Sequence, residues 1–259
     1  EAGDGDNLLY AGTSQEAGGE TSSSHLISAG AGNDTIYGDD GDDQVDVGEG
    51  TNLVFTYAGD DDVAVGSGDD TVYAGDGDDT VTAAGGDNSI LGGSGSETVT
   101  AGSGDDTIDL RAEDDDGAFT THVVTAGAGN NLVHTDEGDD TIQSDGGQDT
   151  IYGYAGVNQV DSGDGDDQVT TTDGDDVINS GAGHDVVNSG EGDDSVIAGD
   201  GDDVVNTSGG DDTVSGGAGD DVVNAGDGND IVTGSTGDDV LNGDDGDDVL
   251  SGDDGNDYI

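Results

Sequence analysis

An aspartate recurs at every ninth residue over most of this chain, and carboxylates at a fixed spacing point to metal chemistry. Two unbroken blocks, 29–109 and 126–259, divide into 24 nine-residue repeats, with Asp at the sixth position of 19. A hard cation such as Ca²⁺ takes about six to eight oxygen ligands, from carboxylates and backbone carbonyls. The candidate metal ligands are Asp34, Asp43, Asp61, Asp70, Asp79, Asp106, Asp140, Asp149, Asp167, Asp176, Asp185, Asp194, Asp203, Asp212, Asp221, Asp230, Asp239, Asp248 and Asp257.

The charge of the chain demands a counter-ion. It has 64 acidic residues against a single Arg or Lys, for a formal net charge of −63. Leu, Ile, Val and Phe together make up less than a fifth of the residues, a composition typical of disorder. One Ca²⁺ in each of ~24 turns would contribute about 48 positive charges and offset most of the acid. The alternative is that these aspartates are solvated turn residues and bind no metal. That alternative leaves the repulsion among the carboxylates without compensation.

The other repeat positions define the elements that must hold these carboxylates. Position four is Gly, and position eight is Val, Ile or Leu, in all 24 copies. We expect positions one to six to form a turn, with the glycine at φ > 0, and positions seven to nine to form a short strand. Side chains alternate along a strand, so the position-eight aliphatics point inward. The position-five aspartates (Asp42, Asp69, Asp78) are expected to face solvent.

The repeats resemble a known family. Segments such as AGAGNDTIY (29–37), AGDGDDTVT (74–82) and GGAGDDVVN (216–224) are similar to the glycine-rich nonapeptide of the repeats-in-toxin proteins. The family's motif has Gly at position two, whereas this chain has Gly there in only 13 of 24 copies. The resemblance implies an all-β, right-handed parallel β-roll with two nonapeptides per coil. It also implies about one Ca²⁺ per turn, between turns one coil apart, with the position-six aspartates as ligands.

Two irregular stretches interrupt the period. We divide the chain into an N-terminal roll at 1–109 with an irregular coil at 11–28, an interruption or loop at 110–125, and a C-terminal roll at 126–259. All three form one continuous solenoid. Ile27 and Val124 still fall at position eight. Both stretches end alike, in HLISAGAGN from His25 and HVVTAGAGN from His122.

Other chemistries find little support. The chain has no Cys, and its four His (His25, His122, His134, His184) share no metal-binding spacing, so we expect them on the surface or in loops. No Ser-His-Asp arrangement stands out in the sequence, so we predict that the protein is not an enzyme. The acidity predicts no binding to nucleic acid, and no apolar stretch approaches ~20 residues, which predicts no membrane insertion. Glu1 in place of Met suggests a processed or cut N-terminus.

Ladders of residues two repeats apart mark the outer faces. At position nine, Tyr37, Phe55, Tyr73 and Leu91 form one ladder, and Asn188, Asn206, Asn224 and Asn242 form another, beside Val186, Val204, Val222 and Val240 at position seven. They stabilise the roll or provide a lateral contact surface. Regular outward Thr, which ice binding favours, is absent from position three except at Thr236.

These features predict a non-catalytic, calcium-binding structural protein, secreted or on the cell surface. It would act as a stalk or filament segment that folds and stiffens on binding Ca²⁺. The alternatives are a calcium-triggered folding or secretion module of a larger enzyme, toxin or adhesin, and an ice- or ligand-binding adhesin domain. Without 110–116, the rest of the chain divides evenly into pairs of nonapeptides, which predicts that copies can stack head-to-tail in phase as well as laterally.

Overall fold

A computed structural model describes residues 1–11, 23–111 and 120–259. The chain forms two compact units, Glu1–Ala128 and Gly129–Ile259. Within the described residues every regular element is a β-strand, and there is no helix. The predicted all-β parallel solenoid is therefore confirmed, and the two units are described in turn.

The described residues of the first unit form twelve strands in two parallel sheets. Odd-numbered strands pair with odd-numbered strands and even with even, because consecutive strands lie on opposite sides of the coil. The strands are β1 (Leu8–Tyr10), β2 (Leu26–Ala29), β3 (Thr35–Tyr37), β4 (Gln44–Val47), β5 (Leu53–Ala58), β6 (Asp62–Ser67), β7 (Thr71–Asp76), β8 (Thr80–Gly85), β9 (Ser89–Ser94), β10 (Thr98–Thr100), β11 (Thr107–Asp109) and β12 (Val123–Ala128).

The second unit repeats this plan with fourteen strands. Its odd strands are mostly three residues long, whereas most of its even strands have six. The strands are β13 (Leu132–His134), β14 (Thr141–Gly146), β15 (Thr150–Tyr154), β16 (Gln159–Asp161), β17 (Gln168–Thr171), β18 (Val177–Ala182), β19 (Val186–Asn188), β20 (Ser195–Asp200), β21 (Val204–Asn206), β22 (Thr213–Ala218), β23 (Val222–Asn224), β24 (Ile231–Thr236), β25 (Val240–Asn242) and β26 (Val249–Asp254).

Strand register confirms two nonapeptides per coil. Val54 pairs with Val72 in the first unit, and Val187 pairs with Val205 in the second. The members of each pair are two repeats apart, so equivalent positions of alternate repeats lie directly over one another. This stacking brings position six of one coil next to position six of the following coil.

The position-eight side chains form the core, as predicted. Ile36, Val54 and Val205 are fully buried, and only the terminal copies are open, with Ile259 62% exposed. These side chains are not the whole core. Position one is also buried, for example at Ala74, because it lies two residues further along the same strand and faces the same way.

Many strands are longer than the three residues predicted. β7 runs through positions seven to nine and on through positions one to three of the next repeat, ending at Asp76. The turn proper then shrinks to positions four to six. Position-four glycine is needed there for two reasons, both visible at Gly50. Its φ is 132°, and an added Cβ would overlap the carbonyl oxygen of Gly32 in the neighbouring coil.

Departures from Gly at position two do not disturb the coil. Tyr57 has φ 78° and Ser208 has φ 72°, so these residues adopt the left-handed backbone that glycine adopts elsewhere. Such a conformation costs a non-glycine residue on the order of 1 kcal/mol or more. The stacked coils on either side hold the turn in place despite this cost.

The irregular stretches lengthen one coil each. Leu9 pairs with Ile36, the position-eight residue three nonapeptides later, where a regular coil would pair it with Ile27. Val99 pairs with Val124, which lies seven positions beyond the partner that a regular coil would provide. The first coil thus contains one whole extra nonapeptide. The sequence-based count set aside only 110–116. Setting aside the extra nonapeptide as well leaves an odd number of nonapeptides. Because two nonapeptides make one coil, the count no longer supports head-to-tail stacking in phase. Residues 12–22 and 112–119 lie outside the described part.

Both predicted ladders are in register, Tyr37, Phe55, Tyr73 and Leu91 in the first unit and the four asparagines in the second. The aromatic stack also includes Tyr10, which was not predicted, and the Asn242 amide donates to Asp244 Oδ1 rather than to Asn224. Tyr10, Tyr37, Phe55 and Tyr73 stack with ring centroids 4.8, 5.2 and 4.6 Å apart. In the second unit the Asn206 amide donates to Asn188 Oδ1 at 3.1 Å, and the Asn224 amide donates to Asn206 Oδ1 at 2.8 Å. These side chains tie successive coils together on the outside of the sheet.

Candidate metal centres in the turns

The position-six aspartates lie at the ends of the turns, directly before the strands, with their carboxylates turned inward. Seventeen of the nineteen candidate ligands are buried, each with 2% or less of its surface exposed. Asp248 and Asp257, in the last two repeats, are half-buried. Burying so many acids without basic partners is unfavourable. The groups around each carboxylate therefore indicate what kind of ligand would compensate its charge.

One carboxylate oxygen accepts a backbone N–H in sixteen of the buried aspartates. The Asp43 N–H donates to Asp61 Oδ1 at 2.7 Å, and the Asp61 N–H donates to Asp79 Oδ1 at 2.8 Å. The second unit has the same pattern, with the Asp185 N–H donating to Asp203 Oδ1 at 2.8 Å. These bonds link each coil to the next and fix the orientation of the carboxylate.

The other oxygen, Oδ2, is buried and receives no hydrogen bond in thirteen copies. Two of the candidates differ, since Asp43 Oδ2 accepts from the Asp39 N–H at 3.2 Å and Asp149 Oδ2 accepts from the Ser144 hydroxyl at 2.6 Å. The thirteen are Asp34, Asp61, Asp70, Asp79, Asp167, Asp176, Asp185, Asp194, Asp203, Asp212, Asp221, Asp230 and Asp239.

Burial makes the ionised form of these acids costly. It raises the pKa of Asp79 and of Asp221 from 3.8 to about 7, and neighbouring position-six carboxylates one coil away add to the effect. Burial likewise raises the pKa of Asp61 and of Asp70 to about 6. A cation held at Oδ2 would reverse this penalty, because it favours the charged carboxylate.

The position-six asparagines reveal what faces the site. Asn52 Nδ2 donates to the carbonyls of Gly48 and Gly50 at 3.1 and 3.3 Å. Asn158 Nδ2 likewise donates to Tyr154 and Gly156 at 3.4 and 3.3 Å. The carbonyls of positions two and four therefore point at the head of the position-six side chain.

An aspartate in the same place has no hydrogen to offer those carbonyls. Oxygens from one side chain and two peptide groups then converge without a donor, which is the ligand set of a hard cation such as Ca²⁺. The position-five aspartates, by contrast, are exposed at Asp42, Asp69 and Asp78, as expected. Asp60, at the same position, accepts the Asp78 N–H at 3.0 Å.

His25 and His122 each lie just before a strand, in keeping with the expected surface or loop positions, but neither side chain is fully exposed. His122 is fully buried, with Nδ1 2.6 Å from Glu97 Oε2, which is buried as well. His25 lies between Asp39 and Asp43. Both histidines occupy position six of an irregular stretch, and that frame position was the available signal. His184 is exposed, as predicted.

The described residues contain no helix that is long and apolar enough to cross a membrane. Parallel strands in coils of two nonapeptides, with buried carboxylates facing turn carbonyls, define a calcium-binding β-roll. This is a structural fold rather than a catalytic one.

A family model for the RTX calcium-binding nonapeptide repeat matches residues 26–54, 55–90, 91–116, 125–160, 134–169, 161–196, 197–232 and 224–259. The chain belongs to this family, as its repeats suggested. RTX repeats bind Ca²⁺ and occur in secreted proteins. A search of curated proteins gives no significant match.

Proposed function

We propose that this chain is a non-catalytic structural element, outside the cell or on its surface, that folds and stiffens when its turns bind Ca²⁺. The observation that carries the proposal is the set of thirteen buried Oδ2 atoms without a hydrogen bond. The position-six aspartates named above are its proposed ligands, at about one ion per turn.

The net negative charge is the reason why folding should depend on Ca²⁺. With a net charge of −63, the folded coils repel one another unless cations lie between them. Millimolar Ca²⁺ outside cells would fill sites whose dissociation constants are about 10⁻⁴–10⁻³ M, the range of extracellular modules. The same chain would stay unfolded where Ca²⁺ is scarce, and each ion would tie one coil to the next.

Circular dichroism tests the folding step. In EGTA at pH 8 we expect the spectrum of an unfolded chain, and in millimolar Ca²⁺ a β-sheet spectrum with a sharp, cooperative transition. Mg²⁺ at the same concentration is the control for ionic strength, and we expect it to be much less effective because it dehydrates reluctantly. An unchanged β-sheet spectrum in EGTA would contradict the proposal.

Stiffening is tested separately, by small-angle X-ray scattering in the same two buffers. In Ca²⁺ we expect the scattering profile of a rigid rod with a constant cross-section. In EGTA we expect the profile of a random coil. Lateral self-association is a further prediction, motivated by the partly exposed Val204 and Val240 (36% and 38%) beside the Asn ladder. Sedimentation velocity in Ca²⁺ at micromolar concentration would detect it, and a single monomer boundary would exclude it under those conditions.

A further inference from the structure

His25, Asp39 and Asp43 meet at the first regular coil after the N-terminal irregular stretch. His25 directly precedes β2 and Asp43 directly precedes β4, and these strands pair in register, one coil apart. His25 thus takes the place that an aspartate holds in the regular coils. Asp39 comes from position two of the Asp43 turn, where glycine is the commonest residue.

The three side chains converge closely. His25 Nδ1 lies 3.1 Å from Asp39 Oδ1 and 3.2 Å from Asp43 Oδ1, and one donor atom from each residue lies within 4.8 Å of the others. The Asp43 side chain is completely buried. Asp39 Oδ1 is buried as well and receives no hydrogen bond. A single ring N–H cannot serve two carboxylates, so the cluster carries more negative charge than one proton satisfies.

The ligand chemistry differs from that of the other turns. Ca²⁺ takes oxygen ligands, whereas imidazole nitrogen suits Zn²⁺ and similar transition metals. Zinc bonds to nitrogen and carboxylate oxygen are about 2.0–2.2 Å long, so tetrahedral ligands lie about 3.3–3.5 Å apart. The two observed separations from Nδ1 are close to that spacing.

We propose that His25, Asp39 and Asp43 form a Zn²⁺ site, distinct in metal preference from the calcium turns, that clamps the first regular coil. Two carboxylates and one imidazole leave a fourth position for water, as in open zinc sites. The site lies where the column of position-six aspartates is interrupted, so a metal there replaces the link that Asp–Asp turns provide elsewhere. Asp43, one of the calcium ligands proposed above, binds Zn²⁺ in place of Ca²⁺ in this proposal, and the site does not otherwise depend on the proposed calcium switch.

The test is a Zn²⁺ titration in saturating, millimolar Ca²⁺, followed by calorimetry, with Co²⁺ substitution to detect nitrogen ligation in the visible spectrum. We expect Zn²⁺ to bind one high-affinity site that Ca²⁺ does not displace. His25→Asn and Asp39→Asn should each weaken it by at least about tenfold. His184→Asn is the matched control, because that histidine lies 4.0 Å from one exposed carboxylate and should change nothing.

Each result has a clear meaning. Zn²⁺ binding that is unaffected by His25→Asn, or equally weakened by His184→Asn, would overturn the site, as would the lack of any Zn²⁺ binding that resists Ca²⁺. The calcium-induced circular dichroism spectrum of each variant checks that it folds. Asp39→Asn tests the site a second time if His25→Asn fails to fold, because Asp39 is a partly exposed turn residue whose substitution should disturb the fold less. Failure of the zinc site would leave the calcium transition intact.

Discussion

Replacing Asp221 by Asn should have opposite effects on stability with and without Ca²⁺. Asp221 is 1% exposed, its Oδ1 accepts the Asp203 N–H at 2.9 Å, and its Oδ2 receives no hydrogen bond. Asn keeps the first bond and removes the buried charge. By analogy with Asn158, its amide can donate to the carbonyls of its own turn.

The magnitude follows from the pKa. Burial raises the pKa of Asp221 from 3.8 to about 7, and each unit is worth about 1.4 kcal/mol. After allowance for partial screening by solvent, the ionised carboxylate destabilises the calcium-free fold at pH 8 by roughly 2–4 kcal/mol, which Asp221→Asn removes. In Ca²⁺ the same substitution takes away a ligand and leaves its partners unsatisfied, so we expect a loss of roughly 1–3 kcal/mol.

The pH dependence has a definite sign. Because the folded-state pKa is raised, the folded state binds the proton more tightly than the unfolded state, and stability falls as pH rises through about 7. The advantage of Asp221→Asn in EDTA should therefore be greatest at pH 8. It should shrink as pH falls and vanish below about pH 3, where the carboxyl is protonated in the folded and the unfolded state alike. Acid should partly replace Ca²⁺ in folding the unmodified chain.

Folding induced by an excluded osmolyte such as trimethylamine N-oxide gives access to the calcium-free state. The midpoint is followed by circular dichroism in EDTA at several pH values, and thermal unfolding is followed in Ca²⁺. Asp220→Asn is the matched control, because Asp220 is exposed and its Oδ1 accepts the Asp238 N–H at 2.8 Å. We expect it to change stability by less than about 0.5 kcal/mol. A loss of stability for Asp221→Asn in EDTA would refute the reasoning.

Three further predictions concern thermal unfolding in Ca²⁺. Asp203→Ala should cost about 1–3 kcal/mol, because it removes a proposed Ca²⁺ ligand and leaves the Asp185 N–H unsatisfied. Val205→Asp should cost more because Val205 is fully buried; equal melting would contradict the inward orientation of position eight. Gly50→Ala should cost about 1–3 kcal/mol because of its positive φ, and an unchanged midpoint would argue against the close stacking of the turns. His122→Ala should cost about 3–5 kcal/mol by leaving the buried Glu97 carboxylate without its imidazole. Adding Glu97→Gln to that variant should restore part of the loss, and additive losses would show that the pair is not coupled.

Much of the site was predictable because the repeat is short and regular. Once position eight points inward, the nine-residue period places every position-six side chain at a turn end and every equivalent position one coil away. Ile36, Val54 and Val205 are buried as the alternation predicted. The period alone also brought Tyr37, Phe55 and Tyr73 into one ladder.

Tertiary structure decided what the period could not. How far each strand continues depends on contacts with the coils on either side, so the burial of Ala74 at position one was not visible in the local pattern. The extra nonapeptide of the first coil was assigned only by the pairing of Leu9 with Ile36. The spacing of two nonapeptides accounts for the contact of His25 with Asp43, but not for the approach of Asp39 to His25 or for the contact of Glu97 with His122, which are 25 residues apart. They meet because coil stacking, rather than sequence spacing, sets which turns are neighbours in space.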